Sequence, residues 1–103
     1  MDQTTEVSTR KFVTISLSFR DIWEDKDVDL HFRFAKPTKV EIKRLQDTAA
    51  KNATQAARNI LLSTIHLEDK DALLAAMDDY PGIITSYSTA LIKAVGLTAD
   101  AGN

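Results

Sequence analysis

At 103 residues, with 44% hydrophobic and 27% charged positions, the chain has the size and composition of one globular domain with a modest core. Thirteen basic residues against fifteen acidic ones leave a net charge of −2 and a pI near 5.6, which argues against nucleic acid as the main partner. Zero cysteines exclude disulfides, thiolate nucleophiles and cysteine-ligated zinc, and fit a reducing compartment.

Residues 1–10 are polar, lack the apolar core of a signal peptide, and are expected to be flexible. No apolar run approaches the roughly 20 residues that span a bilayer. A soluble, cytoplasmic protein without a membrane partner is the expectation. A single domain is predicted over residues 11–97.

The first strand is predicted over about residues 12–19, where Val13, Ile15, Leu17 and Phe19 alternate with Thr14, Ser16 and Ser18. The second, about residues 28–35, repeats the pattern: Val28, Leu30, Phe32 and Phe34 against Asp29, His31 and Arg33. Equal lengths point to antiparallel pairing. Two strands alone are marginal in water, so helices or another chain must cover the apolar face. Such a ribbon also leaves two open edges, where a partner strand can add.

Arg20 to Asp27 connects the strands and is acidic; the stretch 21–29 carries five carboxylates. Asp25, Asp27 and Asp29 share the spacing of a calcium loop, but Leu30 stands where its glycine belongs and Lys36 where its glutamate belongs. A solvated loop is the simpler reading. Trp23, the sole tryptophan, lies within it beside Ile22. Two roles are open to it: a cap on the small core, which its bulk favours, or an anchor for a partner.

Pro37 ends the second strand, and Thr38-x-x-Glu41 forms a capping box that starts a helix. Ile42, Leu45, Ala49, Ala53, Ala56 and Ile60 make one helical stripe, so the helix is predicted over 38–65, with a possible break near Asn52-Ala-Thr54. Its alanines suggest a seam for close helix packing. A second helix is predicted over 68–79, burying Leu73, Leu74, Met77 and Tyr80, and Tyr80-Pro81-Gly82 ends it. A third, over 82–95, carries Ile84, Tyr87, Leu91 and Val95 on one side, with Gly96 just past its end and Leu97 folding back. Residues 98–103 read as a loose tail. The fold class is α+β: an N-terminal two-stranded antiparallel ribbon followed by three α-helices.

No catalytic constellation stands out. His66, Glu68 and Asp69 are three potential metal ligands in four residues, but acidic residues at a helix start serve its dipole, and no second histidine is near in sequence. His31 falls on the solvent phase of its strand. Arg33, Lys36, Lys39 and Lys43 make a short basic ridge that Glu41 and Asp47 interrupt, which reads as surface decoration. Three glycines form no phosphate cradle. No enzyme, cofactor or metal site is expected. Candidate partner-binding residues are Trp23, Phe32, Phe34, Ala49, Ala53 and Ala56.

Taken in order, several pieces resemble a family of small phage or prophage tail assembly chaperones. They are the strand into Phe32-Arg-Phe-Ala-Lys-Pro-Thr-Lys-Val-Glu41, the Ala-rich helix to Ala57-Arg-Asn-Ile-Leu-Leu62, His66-Leu-Glu-Asp-Lys-Asp-Ala-Leu-Leu74, Tyr80-Pro-Gly82, and Leu91-Ile-Lys-Ala-Val-Gly-Leu97. The likeness covers about residues 28–97; the acidic Trp23 loop is longer than the connection it leads one to expect. What the resemblance implies is a non-catalytic assembly factor in the host bacterial cytoplasm. It would bind the tape measure protein or tail tube subunits before polymerisation and possess no catalytic residues. Separately from the resemblance, the alanine seam at Ala49, Ala53 and Ala56 or the free ribbon edges could instead serve self-association into a homo-oligomer. The competing class is a structural tail completion or adaptor protein of the virion.

Overall fold

A computed structural model describes residues 10–96. The element order is β1 (Phe12–Asp21), β2 (Lys26–Ala35), α1 (Lys39–Ala49), α2 (Ala53–Thr64), a 3-10 turn (Leu67–Asp69), α3 (Lys70–Asp79) and α4 (Ile83–Ala94). The fold is α+β. Residues 1–9 and 97–103, including the expected flexible ends and the fold-back of Leu97, lie outside the described residues.

β1 and β2 pair antiparallel with Val13 opposite Phe34, Ile15 opposite Phe32, Leu17 opposite Leu30 and Phe19 opposite Val28. The two alternating rows therefore share one face, as their period of two requires. The polar face is tied cross-strand: Ser16 Oγ lies 2.7 Å from His31 Nδ1, and Ser18 donates to Asp29 at 2.6 Å. Both strands run farther than the apolar alternation alone indicates, to Asp21 and from Lys26. The connection shrinks from the expected eight residues to four, Ile22–Asp25, with Asp25 in left-handed backbone at φ 54°. Aspartate tolerates that region better than most residues.

The capping box forms as expected: Glu41 N–H donates to Thr38 Oγ1 at 3.1 Å and Thr38 N–H donates to Glu41 Oε1 at 2.8 Å. The single helix 38–65 does not form. Asn52 takes extended backbone, its side chain accepts from Gln55 N–H at 3.0 Å, and a new helix starts behind it. One continuous helix would be about 42 Å long at about 1.5 Å per residue. That is nearly the 45 Å longest dimension of the molecule, so breaking it lets Ile60 and Leu61 reach the core. There are thus four α-helices among the described residues, where three were expected. α1 contributes no fully buried residue and lies against α2 as an outer element.

The later helices match expectation within two residues. Their buried side chains, Leu73, Met77, Ile84, Tyr87 and Leu91, meet Phe32, Phe34, Ile60 and Leu61 in one core. Gly96 adopts φ 91° past the end of α4, where its N–H donates to Lys93 C=O at 3.0 Å.

β2 has its outer edge closed at one level. His66 N–H donates to Arg33 C=O at 2.8 Å, and Arg33 N–H donates to Asp69 Oδ2 at 2.9 Å. The Arg33 guanidinium adds bonds to Asp69 at 2.8 and 3.1 Å and to Glu68 at 3.2 Å. These bonds, first the guanidinium on Asp69, hold that carboxyl down to about 2. So His66, Glu68 and Asp69 are occupied in joining sheet to helices, and Arg33 leaves the basic ridge. No cluster of three potential metal ligands exists among the described residues.

Candidate functional site: a cleft at the hairpin tip

A cleft of about 800 Å³ opens where the β1–β2 turn faces the α3–α4 turn. Leu17, Phe19, Trp23, Tyr80, Pro81 and Ile83 supply its apolar lining, while Glu24 and Asp79 set acidic groups on it and Arg20 and Lys26 basic ones. The tip is locked by Asp21, which is only 7% exposed. Its Oδ1 accepts from the N–H of Trp23 at 3.1 Å and of Glu24 at 3.0 Å, an Asx turn. Its Oδ2 accepts from the Tyr80 hydroxyl at 3.0 Å, a bond that spans 59 residues of sequence. Phe19 meets the Tyr80 ring edge-on at 5.0 Å.

These bonds explain the electrostatics. The Glu24 amide, opposed by burial and helped by Tyr80 and the Trp23 amide, holds the Asp21 carboxyl below the ordinary aspartate range. The same carboxylate, with burial, pushes the Tyr80 phenol up. Asp21 thus stays ionised and accepts at both oxygens. Arg20 pairs with Asp25 and, at 3.1 Å, with Asp27, so three charges of the loop are spent on one another. The calcium spacing is thereby filled by an arginine.

Trp23 is 87% exposed and Ile22 69%. The expected core role for Trp23 is overturned: the Asx turn aims the loop outward, and Phe19 with Tyr80 already closes that end of the core. A lone exposed leucine needs no explanation, but a tryptophan beside an apolar cleft does.

The family model for DUF6848, described as a domain of unknown function, matches residues 8–102. The chain belongs to this family. No curated protein matches the DUF6848 chain. It is similar to a solved structure of an uncharacterised protein from Bacillus stearothermophilus, with a TM-score of 0.75 and 20% identity over 96% of this chain and 95% of that one. Identity that low speaks for a shared fold alone.

The other candidate residues of this DUF6848 domain do not join Trp23. Phe32 and Phe34 are core residues packed on Tyr87, with ring centroids 5.5 Å away in each case, so neither is open to a partner. The alanine seam is not one surface: Ala49 and Ala53 flank the α1–α2 turn in solvent, whereas Ala56 is buried. The break at Asn52 separates the two halves of the stripe. His31 faces solvent, as its strand phase requires. Lys43 pairs with Asp47 one helical turn on, at 3.2 Å. Asp21 and Tyr80 carry the tip yet were not singled out from the sequence; the one local signal for Asp21 is an aspartate directly ahead of a loop that lacks glycine.

Proposed function

We propose that this DUF6848 protein is a non-catalytic assembly factor, a tail assembly chaperone of a phage or prophage, that holds a client polypeptide at the hairpin tip. The observation carrying the binding role is Trp23, presented bare on a turn fixed by Asp21 and Tyr80 beside an apolar cleft. Rigid aromatic side chains give much contact area for little lost conformational freedom. The charged groups around the cleft are of both signs, Glu24 and Asp79 against Arg20 and Lys26, so the apolar lining rather than net charge selects the client. The tail assembly role itself is supported by the ordered resemblance of residues 28–97. Tape measure protein or tube subunits in the bacterial cytoplasm are the clients in this reading.

Trp23, the sole tryptophan, is also the reporter. Titrating a tape measure fragment from the same phage should shift its emission to the blue and quench access to iodide. Trp23→Ala should abolish co-purification while leaving the fold intact. Absence of any spectral change with tape measure and tube fragments alike would remove the chaperone role. Recovery of the chain from mature particles by mass spectrometry would favour a tail completion or adaptor protein instead.

A further inference from the structure

We propose that two copies of this chain pair through the outer edge of β1, antiparallel and centred on Ser16, to form a continuous four-stranded sheet. Among the described residues β1 has one neighbour only, β2. Natural edge strands are blunted by charge, proline, bulges or brevity. β1 has none of these from Phe12 to Phe19, eight uncharged residues in an unbroken ladder.

The direction of its free backbone groups is fixed by alternation. Lys36 N–H donates to Lys11 C=O, which makes that level a bonded one, and the bonded levels recur at Val13, Ile15, Leu17 and Phe19. Thr14, Ser16 and Ser18 therefore aim their N–H and C=O groups away from β2. The Arg33 level obeys the same rule, since both its backbone groups bind outward partners.

β2 offers no equivalent edge. Its outward positions include Asp27 and Asp29, and Arg33 is already bonded to His66 and Asp69. On β1 the side chains of Ser16 and Ser18 are turned to His31 and Asp29, and among the described residues no strand other than β2 pairs with its main chain.

A second copy matches this edge better than an arbitrary strand because the edge is self-complementary. With Ser16 opposite Ser16 of the second copy, Thr14 faces Ser18, and their outward groups meet donor to acceptor. Ile15 then faces Leu17, and Val13 faces Phe19, so the apolar rows of both copies lie on one side. Val13, 56% exposed in the single chain, gains an aromatic neighbour. No two like charges oppose each other, and this register pairs Val13 to Phe19, all uncharged, within itself while Phe12 faces Arg20. An isologous two-fold contact follows.

The chain has no cysteine, so one introduced thiol reads the register. In a bonded antiparallel pair the facing Cα atoms lie about 5.5 Å apart, inside the roughly 4.4–6.8 Å a disulfide spans. Ser16→Cys should therefore cross-link to itself under mild oxidation. Thr14→Cys should not, being four residues, about 13 Å, out of step with its own copy. Light scattering on the full chain should show the mass rising with concentration from 11.4 kDa toward twice that value. Ser16→Pro removes an outward donor without touching the β1–β2 ladder, and Ser16→Lys sets two like charges face to face. Either, if its circular dichroism is unchanged, should restore the monomer. A monomer at every concentration would overturn the proposal, as would equal cross-linking at Thr14→Cys, or a folded Ser16→Lys that still dimerises.

Discussion

Replacing Tyr87 by phenylalanine should make the domain more stable. Tyr87 is 1% exposed and lies between Phe32 and Phe34, with both ring centroids at 5.5 Å. Its hydroxyl is buried with no hydrogen-bond partner among the described residues, and burial pushes the phenol up to about 12. A buried polar group left unpaired costs about 1–3 kcal/mol relative to its hydrated state. Tyr87→Phe keeps the ring and its aromatic contacts and removes only that cost, for a gain of about 1 kcal/mol. In a domain of this size, about 1 kcal/mol raises Tm by roughly 4–8 °C. Tyr87→Ala, which deletes the ring as well, should instead cost about 3–5 kcal/mol. Urea unfolding followed by far-ultraviolet circular dichroism is the suitable assay, because the bare indole of Trp23 is a poor reporter of core packing. The midpoint should rise with an unchanged m-value. A fall in midpoint for Tyr87→Phe would refute the reasoning, since it would require the hydroxyl to have a partner whose loss is felt.

Asp69 titrates in the folded state at about 2, below its ordinary 3.8. Its contribution is therefore present above about pH 4 and is lost as pH falls through 2, so Asp69→Asn should flatten the acid limb of stability between those values. An unchanged acid limb would separate the Arg33 contact from that stability. Asn52→Ala removes the α2 cap and should cost about 1 kcal/mol by chemical denaturation; a cost near zero would mean that the break between α1 and α2 is held by packing alone. Trp23→Ala should change stability by less than about 0.5 kcal/mol, as exposed substitutions do, whereas Phe34→Ala should cost about 3–5 kcal/mol. A comparable loss for both would return Trp23 to the core.

The ribbon was legible because two signals agreed. A period of two places Val13 to Phe19 and Val28 to Phe34 on single faces, and Pro37 with the Thr38–Glu41 box dates the change to helix within a few residues. The hairpin loop was not legible. Asp21, Lys26 and Asp27 are poor strand formers by composition, yet they sit in the ladder because Asp21 closes an Asx turn and Arg20 neutralises Asp25 and Asp27. A count of carboxylates sees a solvated loop and misses that pairing. The helix break was half legible, since Asn52 is a strong cap residue inside an apolar stripe that alanines carry forward unbroken. Alanine fits a helix interior, a turn flank and a tight seam alike, so the stripe could not show where Ala49 and Ala53 part from Ala56.

Trp23 shows most clearly where composition misleads. Size and hydrophobicity send an indole inward on average, but the average holds only while the core has room for it. Here Phe19 on Tyr80, and Phe32 and Phe34 on Tyr87, already occupy both ends of the sheet–helix contact. The turn is then free to point its largest side chain outward, and two amide bonds to Asp21 keep it there. A loop held merely by chain connectivity would pay for ordering when a partner arrived; this one is ordered beforehand. The Asp21–Tyr80 bond joins that tip to the turn between α3 and α4, so both walls of the cleft are fixed relative to each other. Loosening it by Tyr80→Phe should leave Trp23 equally exposed yet weaken capture of a client, which separates a site that depends on preorganisation from one that depends on greasy surface alone.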